Sequence, residues 1–316
     1  MIFDMFVIPE QDPRNAVETA RYLDANGYGA AWIGDSPPIS WGDVYATLAL
    51  CSQATSRVRL RTGVTNPLTR QATVTANAII TIAKLSGGRA DLGIGTGDSA
   101  LRALGLKPST LAGLAAYVEE VRGICRARDI RVPVYVAASG PKALTLAGRI
   151  ADGAIVSVGT HPSLVRRALE RIALGAAEAG RTLADIDVAF MAGLSIADSW
   201  EEAKREAGPL AARRAKDAHY YPDFFFPPDL EHLRGEAESI ATHYDYRQHL
   251  DADASHARFV TDRIVDAYTL AGTEADCVRK IGDMRAAGAS HLVMFPSGHD
   301  RLGAMRRFTD TVMSRL

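Results

Sequence analysis

Short apolar runs alternate along this chain with longer stretches in which apolar and polar positions interleave. The runs IFDMFVI (2–8), GAAWIGD (29–35), RVRLRTGVT (57–65), ADLGIG (90–95), VPVYVAA (132–138), GAIVSVG (153–159), DVAFMAGLSI (187–196) and SHLVMFP (290–296) predict strands. Helices are predicted between them over 14–26, ended by Gly27, and over 43–54, 72–86, 141–150, 162–180 and 301–315, with a long helix inside 98–127. Several strands are continuously apolar, as expected when helices cover both faces of a parallel sheet. Strand–helix units repeating in this way fit an α/β fold of the (β/α)8 TIM-barrel type better than a doubly wound sheet. No linker or shift in composition divides the chain, so residues 1–316 read as a single domain. The segment 197–289 breaks the rhythm. It holds a charged helix (201–217), the aromatic run 220–226 and a polar helical stretch to about residue 270, and it reads as a helical insertion after strand 7.

Composition excludes more than it selects. Lysine plus arginine number 36 against 37 acids, a net charge of −1 that argues against a nucleic-acid partner. No uncharged apolar run reaches the ~18 residues of a membrane span. The N-terminus lacks a basic region and is interrupted by Asp4, so it reads as a strand and not as a signal peptide. Cys51, Cys125 and Cys277 are widely spaced and odd in number, consistent with packed reduced thiols in a cytoplasmic protein. The histidines form no HxH or HExxH group, so no metal site is expected. A GxSxG elbow and a P-loop are both absent.

In a barrel the ligand site lies at the C-terminal ends of the strands. Those ends carry Gly34-Asp35-Ser36, Gly63-Val64-Thr65-Asn66, Gly95-Thr96-Gly97-Asp98-Ser99 and Ala138-Ser139-Gly140-Pro141. Small residues there let a flat ligand or a phosphate approach the backbone. Pro141 suits a first helical position, so Ser139-Gly140-Pro141 is either a phosphate cradle or an ordinary capped turn. Asp35 and Asp98 either orient a ligand and relay a proton or cap the following helices. Of Arg57, Arg59 and Arg61, the last is expected to reach a buried partner. His161 lies nearest the ligand face among the histidines. The run from Tyr220 to Phe226 either lines a pocket or anchors the insertion. The basic residues Lys204, Arg205, Arg213, Arg214 and Lys216 alternate with acids and read as a solvated helix face.

The segment WIGDSPPISWGDVYATLALCSQATSRVRLRTGVTNPLTR (32–70) resembles the bacterial-luciferase-like superfamily of flavin and deazaflavin oxidoreductases. Its likeness is to the branch of the coenzyme F420-dependent methylenetetrahydromethanopterin reductases. LSGGRADLGIGTGDSALRALGLKP (85–108), PVYVAASGPKALTLAGRIADGAIV (133–156) and residues 261–296 agree in the same order. The resemblance implies a (β/α)8 barrel with an insertion after strand 7. It also implies a non-prolyl cis peptide at Gly63–Val64 behind the cofactor ring, followed by Thr65. Ring-edge contacts map to Asp35, Thr96 and Gly97 with Asp98 beside them, and the phosphate grip to Ala138, Ser139 and Gly140, completed by Gly159 and Thr160.

Three departures bear on the chemistry. Ser36 stands where dehydrogenases of the superfamily carry an acid/base histidine. Thr69-Arg70-Gln71-Ala72 replaces the frequent Thr-Arg-His-Pro, and residues 126–130 make a connection that is longer in many relatives. The resemblance implies a homodimeric oxidoreductase that moves a hydride between F420 and a small organic substrate, with Asp35, Ser36 and Asp98 as the catalytic candidates. The alternatives are an FMN-dependent monooxygenase and a non-catalytic flavin-binding subunit on the same barrel.

Overall fold

A computed structural model describes residues 1–10, 12–36, 41–245, 255–298 and 300–316. Along the chain run β1 (Ile2–Val7), α1 (Pro13–Ala25), β2 (Ala30–Ile33), α2 (Val44–Ala54), β3 (Arg59–Thr62), α3 (Ala72–Leu85) and β4 (Ala90–Ile94). Next come α4 (Asp98–Ala103), α5 (Leu111–Ala127), β5 (Val134–Ala138), α6 (Pro141–Ile150), β6 (Gly153–Val156), α7 (Pro162–Glu178) and β7 (Asp187–Ile196). The insertion supplies α8 (Trp200–His219), α9 (Pro222–Phe225), α10 (Arg234–His243), α11 (Asp262–Tyr268) and β8 (Thr269–Gly272). The chain ends with α12 (Glu274–Ala286), β9 (His291–Pro296) and α13 (Arg301–Arg307), which continues as a π-helical segment to Val312.

Strands β1 to β6 pair in order, β6 pairs with β7, β7 with β9, and β9 with β1, all parallel, so eight strands close a barrel. The predicted eighth strand is the closing β9. The expectation that 197–289 is wholly helical is corrected by β8, which sits at the end of the stretch read as polar helix. Gly193 pairs with Phe295 on one edge and Thr269 on the other. β8 therefore lies on the same edge of β7 as β6 and extends that wall beyond Val156. Four residues directly after a helix are too few to show a strand period.

Local signals account for the element ends. Asp12 caps α1 by accepting from the Arg14 N–H at 3.0 Å, Pro13 opens it, and Gly27 leaves it at φ 77°. Strand β3 stops at Thr62, short of the predicted 65; a cis Gly63–Val64 peptide follows, and Thr65 rejoins the sheet through a bridge to Ile94. The expected cis bond is thus present.

Two apolar layers result. One lies between strands and helices and takes in Ala207, Ala211, Phe225 and Ile240 of the insertion. The other fills the barrel with Phe6, Trp32, Tyr135, Ile155, Val293 and Phe295, where the Phe6 and Phe295 rings stack at 4.5 Å. Below it, near the strand starts, is a buried polar plug. Arg61 bonds Asp4 at 2.7 Å, Asp91 at 2.8 Å and the Tyr135 hydroxyl at 2.9 Å, as expected of an arginine seeking a buried partner. The Trp32 indole N–H donates to Asp4 at 2.7 Å. His291 sits between two carboxylates, with Nε2 2.8 Å from Asp4 and Nδ1 2.9 Å from Asp187. Burial alone would lower its pKa, but the hydrogen bonds and charges of Asp187 and Asp4 override this and raise it to about 9.

Among the described residues no helix is long and apolar enough to cross a membrane. The three cysteines are unpaired and buried. No cluster of histidine, cysteine and carboxylate side chains able to hold a metal is present among the described residues.

Candidate active site

The strand ends that the sequence singles out surround a cavity of about 550 Å³. Asp35 and Ser36 follow β2, Gly63, Val64 and Asn66 follow β3, and Gly95 to Asp98 follow β4. Ala137 to Ser139 enter from β5 and Ser157 from β6. Phe6, Val64, Ala137, Ile155, Met191 and Phe295 make one end of the cavity apolar, with the Trp41 indole beside Phe6. Gly34 has to be small, since a methyl there would meet that indole at 2.6 Å.

Each polar wall residue is held by identifiable partners. The Asp35 carboxylate is buried and accepts from Arg70 at 2.7 Å. Arg70 also donates to Asp43 at 2.9 Å, and Asp43 caps α2 through the amides of Tyr45 and Ala46. The arginine retained in Thr69-Arg70-Gln71-Ala72 therefore ties Asp35 to the start of α2. Asp98 opens α4 after Gly97, whose φ of 83° suits glycine, and pairs with Arg102 at 2.5 Å on the half-exposed rim. The Ser36 hydroxyl and the Asn66 side-chain N–H2 are buried with no hydrogen-bond partner among the described residues. The Asn66 carbonyl oxygen is fixed by the amides of Leu68 and Thr69 at 3.0 and 3.1 Å.

Of the residues expected at the site, Asp35, Ser36, Gly63, Val64, Thr96, Gly97, Asp98, Ala138 and Ser139 line the cavity. Thr65, Gly140, Gly159 and Thr160 stand outside its wall. Thr65 is buried in the β3–β4 bridge, where its amide bonds the Gly93 carbonyl at 3.0 Å. Gly140 lies under the Tyr221 ring, whose Cε2 would be 2.8 Å from a methyl there. Gly159 packs on Tyr268, and the Thr160 hydroxyl donates to the carbonyls of Ala267 and Thr269 at 3.3 and 3.1 Å. Those two residues fasten the wall to β8 because β8 occupies the space beside β6. His161 caps α7 through Ser163 and does not line the cavity.

The insertion corrects a further expectation. Arg214 and Lys216, read as part of a solvated face, are buried, and with Arg213, Asp217, Tyr220 and Tyr221 they wall the cavity where α8 covers it. Arg214 donates to the Ser157 carbonyl and pairs with Asp217, and Lys216 pairs with Asp217 at 2.9 Å. Burial lowers the Arg214 pKa from its ordinary value, with Asp217 opposing that fall. A signal was present: Arg214 falls on the stripe Ala207, Ala211, Ala218, whose spacing of 4, 3 and 4 marks one helix face. The aromatic run divides between its two readings. Phe224, Phe225 and Phe226 are buried anchors, whereas Tyr220 and Tyr221 reach the cavity.

Comparison with known proteins agrees with this geometry. Residues 1–291 match the family of luciferase-like monooxygenases. The 5,10-methylenetetrahydromethanopterin reductase of Methanolobus tindarius is 30% identical over 93% of each chain. The F420-dependent glucose-6-phosphate dehydrogenase of Beutenbergia cavernae is 29% identical over 85% of this chain and 81% of that one. Among solved structures, the coenzyme F420-dependent tetrahydromethanopterin reductase from Methanopyrus kandleri has the same fold, with TM-score 0.80 at 24% identity over 99% of both chains. An F420-dependent secondary alcohol dehydrogenase in complex with an F420–acetone adduct gives TM-score 0.76 at 19% identity, over 99% of this chain and 98% of that one. A closed barrel of parallel strands, a cavity at its C-terminal face and a family match over most of the length lead to one assignment: the chain belongs to the luciferase-like monooxygenase family.

Proposed function

We propose that this protein is a coenzyme F420-dependent oxidoreductase that moves a hydride between the deazaflavin and a small organic substrate. The observation that carries this reading is the two-ended cavity, apolar over the barrel and cationic under the insertion, in a chain whose relatives include F420-dependent enzymes. Its volume of about 550 Å³ is that of a typical small-ligand site. The apolar end suits a planar tricyclic ring. Gly95 leaves room for it, since a methyl there would lie 3.1 Å from Ala137 and 3.2 Å from Val64. The Ser36 hydroxyl and Asn66 amide N–H2, which have no partner among the described residues, suit the polar edge of such a ring or of its substrate.

When bound, the deazaflavin supplies a hydride donor or acceptor. The chain's own residues do the rest. Val64 would back one face of the ring and leave the other to the substrate. Asp98, a carboxylate paired with Arg102 on the rim, would stand at the ring edge as the group that passes a proton to or from the ligand. Asp35, fixed by Arg70, orients the ligand. Ser36 offers its hydroxyl to the substrate where relatives use an imidazole. Alignment of the reacting atoms and exclusion of water supply the remaining acceleration.

Titrating the protein with F420 and, separately, with FMN by fluorescence tests the reading. Micromolar or tighter F420 binding is expected, and tight FMN binding with no F420 affinity would overturn it. A homodimer through α2 and α3 belongs to the same proposal, supported by exposed Leu50, Val74 and Leu85 on those helices. Sedimentation of the purified protein as a monomer at micromolar concentration would refute it.

A further inference from the structure

The cationic wall contributed by α8 has no counterpart in the residues expected to bind a ligand. Pro209 lacks the N–H that would continue the helical bonding to Arg205, and the half of α8 beyond it carries Arg213, Arg214 and Lys216 toward the cavity. Arg214 and Lys216 share the single carboxylate of Asp217. Arg213 is half-buried in the cavity wall and forms no ion pair or hydrogen bond among the described residues. Asp98 also acts on Arg214 but is paired with Arg102, so even with Lys216 left out of the count Arg213 and Arg214 outnumber Asp217. A guanidinium partly withdrawn from water without a partner is favourable only when the ligand brings the acceptor.

The place of this charge shows which part of a ligand it meets. Arg214 donates to the Ser157 carbonyl, and the Ser157 amide donates to the Ala138 carbonyl, so the cations stand over the ends of β5 and β6. The apolar lining that suits a ring includes Ala137 of β5 and Ile155 of β6, which precede Ala138 and Ser157 along those strands, so it lies deeper in the barrel mouth and the cations stand beyond the strand ends. A ligand spanning the cavity therefore has an apolar head and an anionic far end.

We infer that Arg213, backed by Arg214, is the electrostatic anchor for the phosphate-bearing tail of the ring cofactor and selects the tail-bearing form over the bare ring. This rests on the cofactor reading above and adds to it the residue that discriminates between forms of the cofactor.

The test uses two pairs of ligands with the full-length protein. F420 is compared with its tail-less deazaflavin head, and FMN with riboflavin, each titrated by fluorescence at low salt and in 500 mM KCl. The proteins are the wild type, Arg213→Gln and Arg213→Lys, each checked by thermal melting. The wild type is expected to bind F420 about tenfold or more tightly than the bare head, the worth of one charge-assisted hydrogen bond. Arg213→Gln removes that preference while leaving the bare-head Kd unchanged, Arg213→Lys restores most of it, and salt narrows it in the wild type. Equal binding of both forms by the wild type, or an undiminished preference in Arg213→Gln, overturns the inference. If neither deazaflavin binds but FMN exceeds riboflavin in an Arg213-dependent way, the anchor stands and the F420 reading falls. If none of the four ligands binds, both fall.

Discussion

Raising the pH is expected to loosen the lower end of the barrel through one imidazole. His291 is enclosed, 1% exposed, between Asp4 and Asp187, and its pKa is raised from 6.5 to about 9. That rise links to about 3 kcal/mol of stability. A group whose folded pKa lies above its unfolded value stabilises fully below the unfolded value. Its contribution is lost as pH climbs through the folded value, here between about 6.5 and about 9. The other groups facing this imidazole and its carboxylates do not titrate in that window. The Arg61 pKa is raised against the burial that opposes it, by Asp4 and Asp91, and burial raises that of the Tyr135 phenol. His291→Gln keeps a polar side chain but cannot carry the charge. Urea unfolding of both proteins at pH 6, 7.5, 9 and 10 reads out the difference. The wild type should exceed the variant by about 3 kcal/mol at pH 6, and the excess should shrink toward the packing difference alone at pH 10. Parallel stability curves for the two proteins across that range would refute the linkage, and with it the assignment of His291 as a buried imidazolium.

Three further outcomes test the site and its frame. Asp98→Asn should lower kcat about 100-fold or more, with F420 affinity within about threefold of the wild type, if Asp98 exchanges the proton at the ring edge. Steady-state kinetics beside fluorescence titration separates the two, and an unchanged kcat would remove Asp98 from the chemistry. Arg70→Met strips Asp35 of its 2.7 Å partner, and leaving that carboxylate buried and unpaired should cost roughly 3 kcal/mol, seen as a fall in Tm. Gly175→Ala puts a methyl 1.8 Å from the Thr145 carbonyl oxygen where α6 and α7 touch. The helices have to separate, at about 3 kcal/mol or more in chemical denaturation, and a loss under about 0.5 kcal/mol would contradict the close contact.

Much of the barrel is legible in the sequence. Continuous apolar runs located the strands that close it, because a strand buried on both faces needs no polar alternation. Glycines and short polar residues at strand ends located the cavity, because only small residues let a ligand approach the backbone there. Nine of the candidate residues line the cavity for that reason. The failures share a cause. β8 was hidden because four residues carry no period, and it became a strand only because β7 extends past β6 and offers a free edge. Gly159 and Thr160 were turned toward β8 by the same event. The cations of α8 were judged by the acids beside them in sequence, whereas their burial depends on where the insertion folds back.

By itself, then, the sequence determined the strand–helix alternation, the glycine-lined strand ends and the apolar stripes, since each depends on residues a few positions apart. Tertiary structure alone decided which charges meet. Asp4, Arg61, Asp187 and His291 become one network only on closure of the barrel, and Arg213 and Arg214 face β5 and β6 only after the insertion docks. Local periodicity reports how deeply a side chain is buried. It carries no information about what stands opposite, because that neighbour arrives from a distant part of the chain.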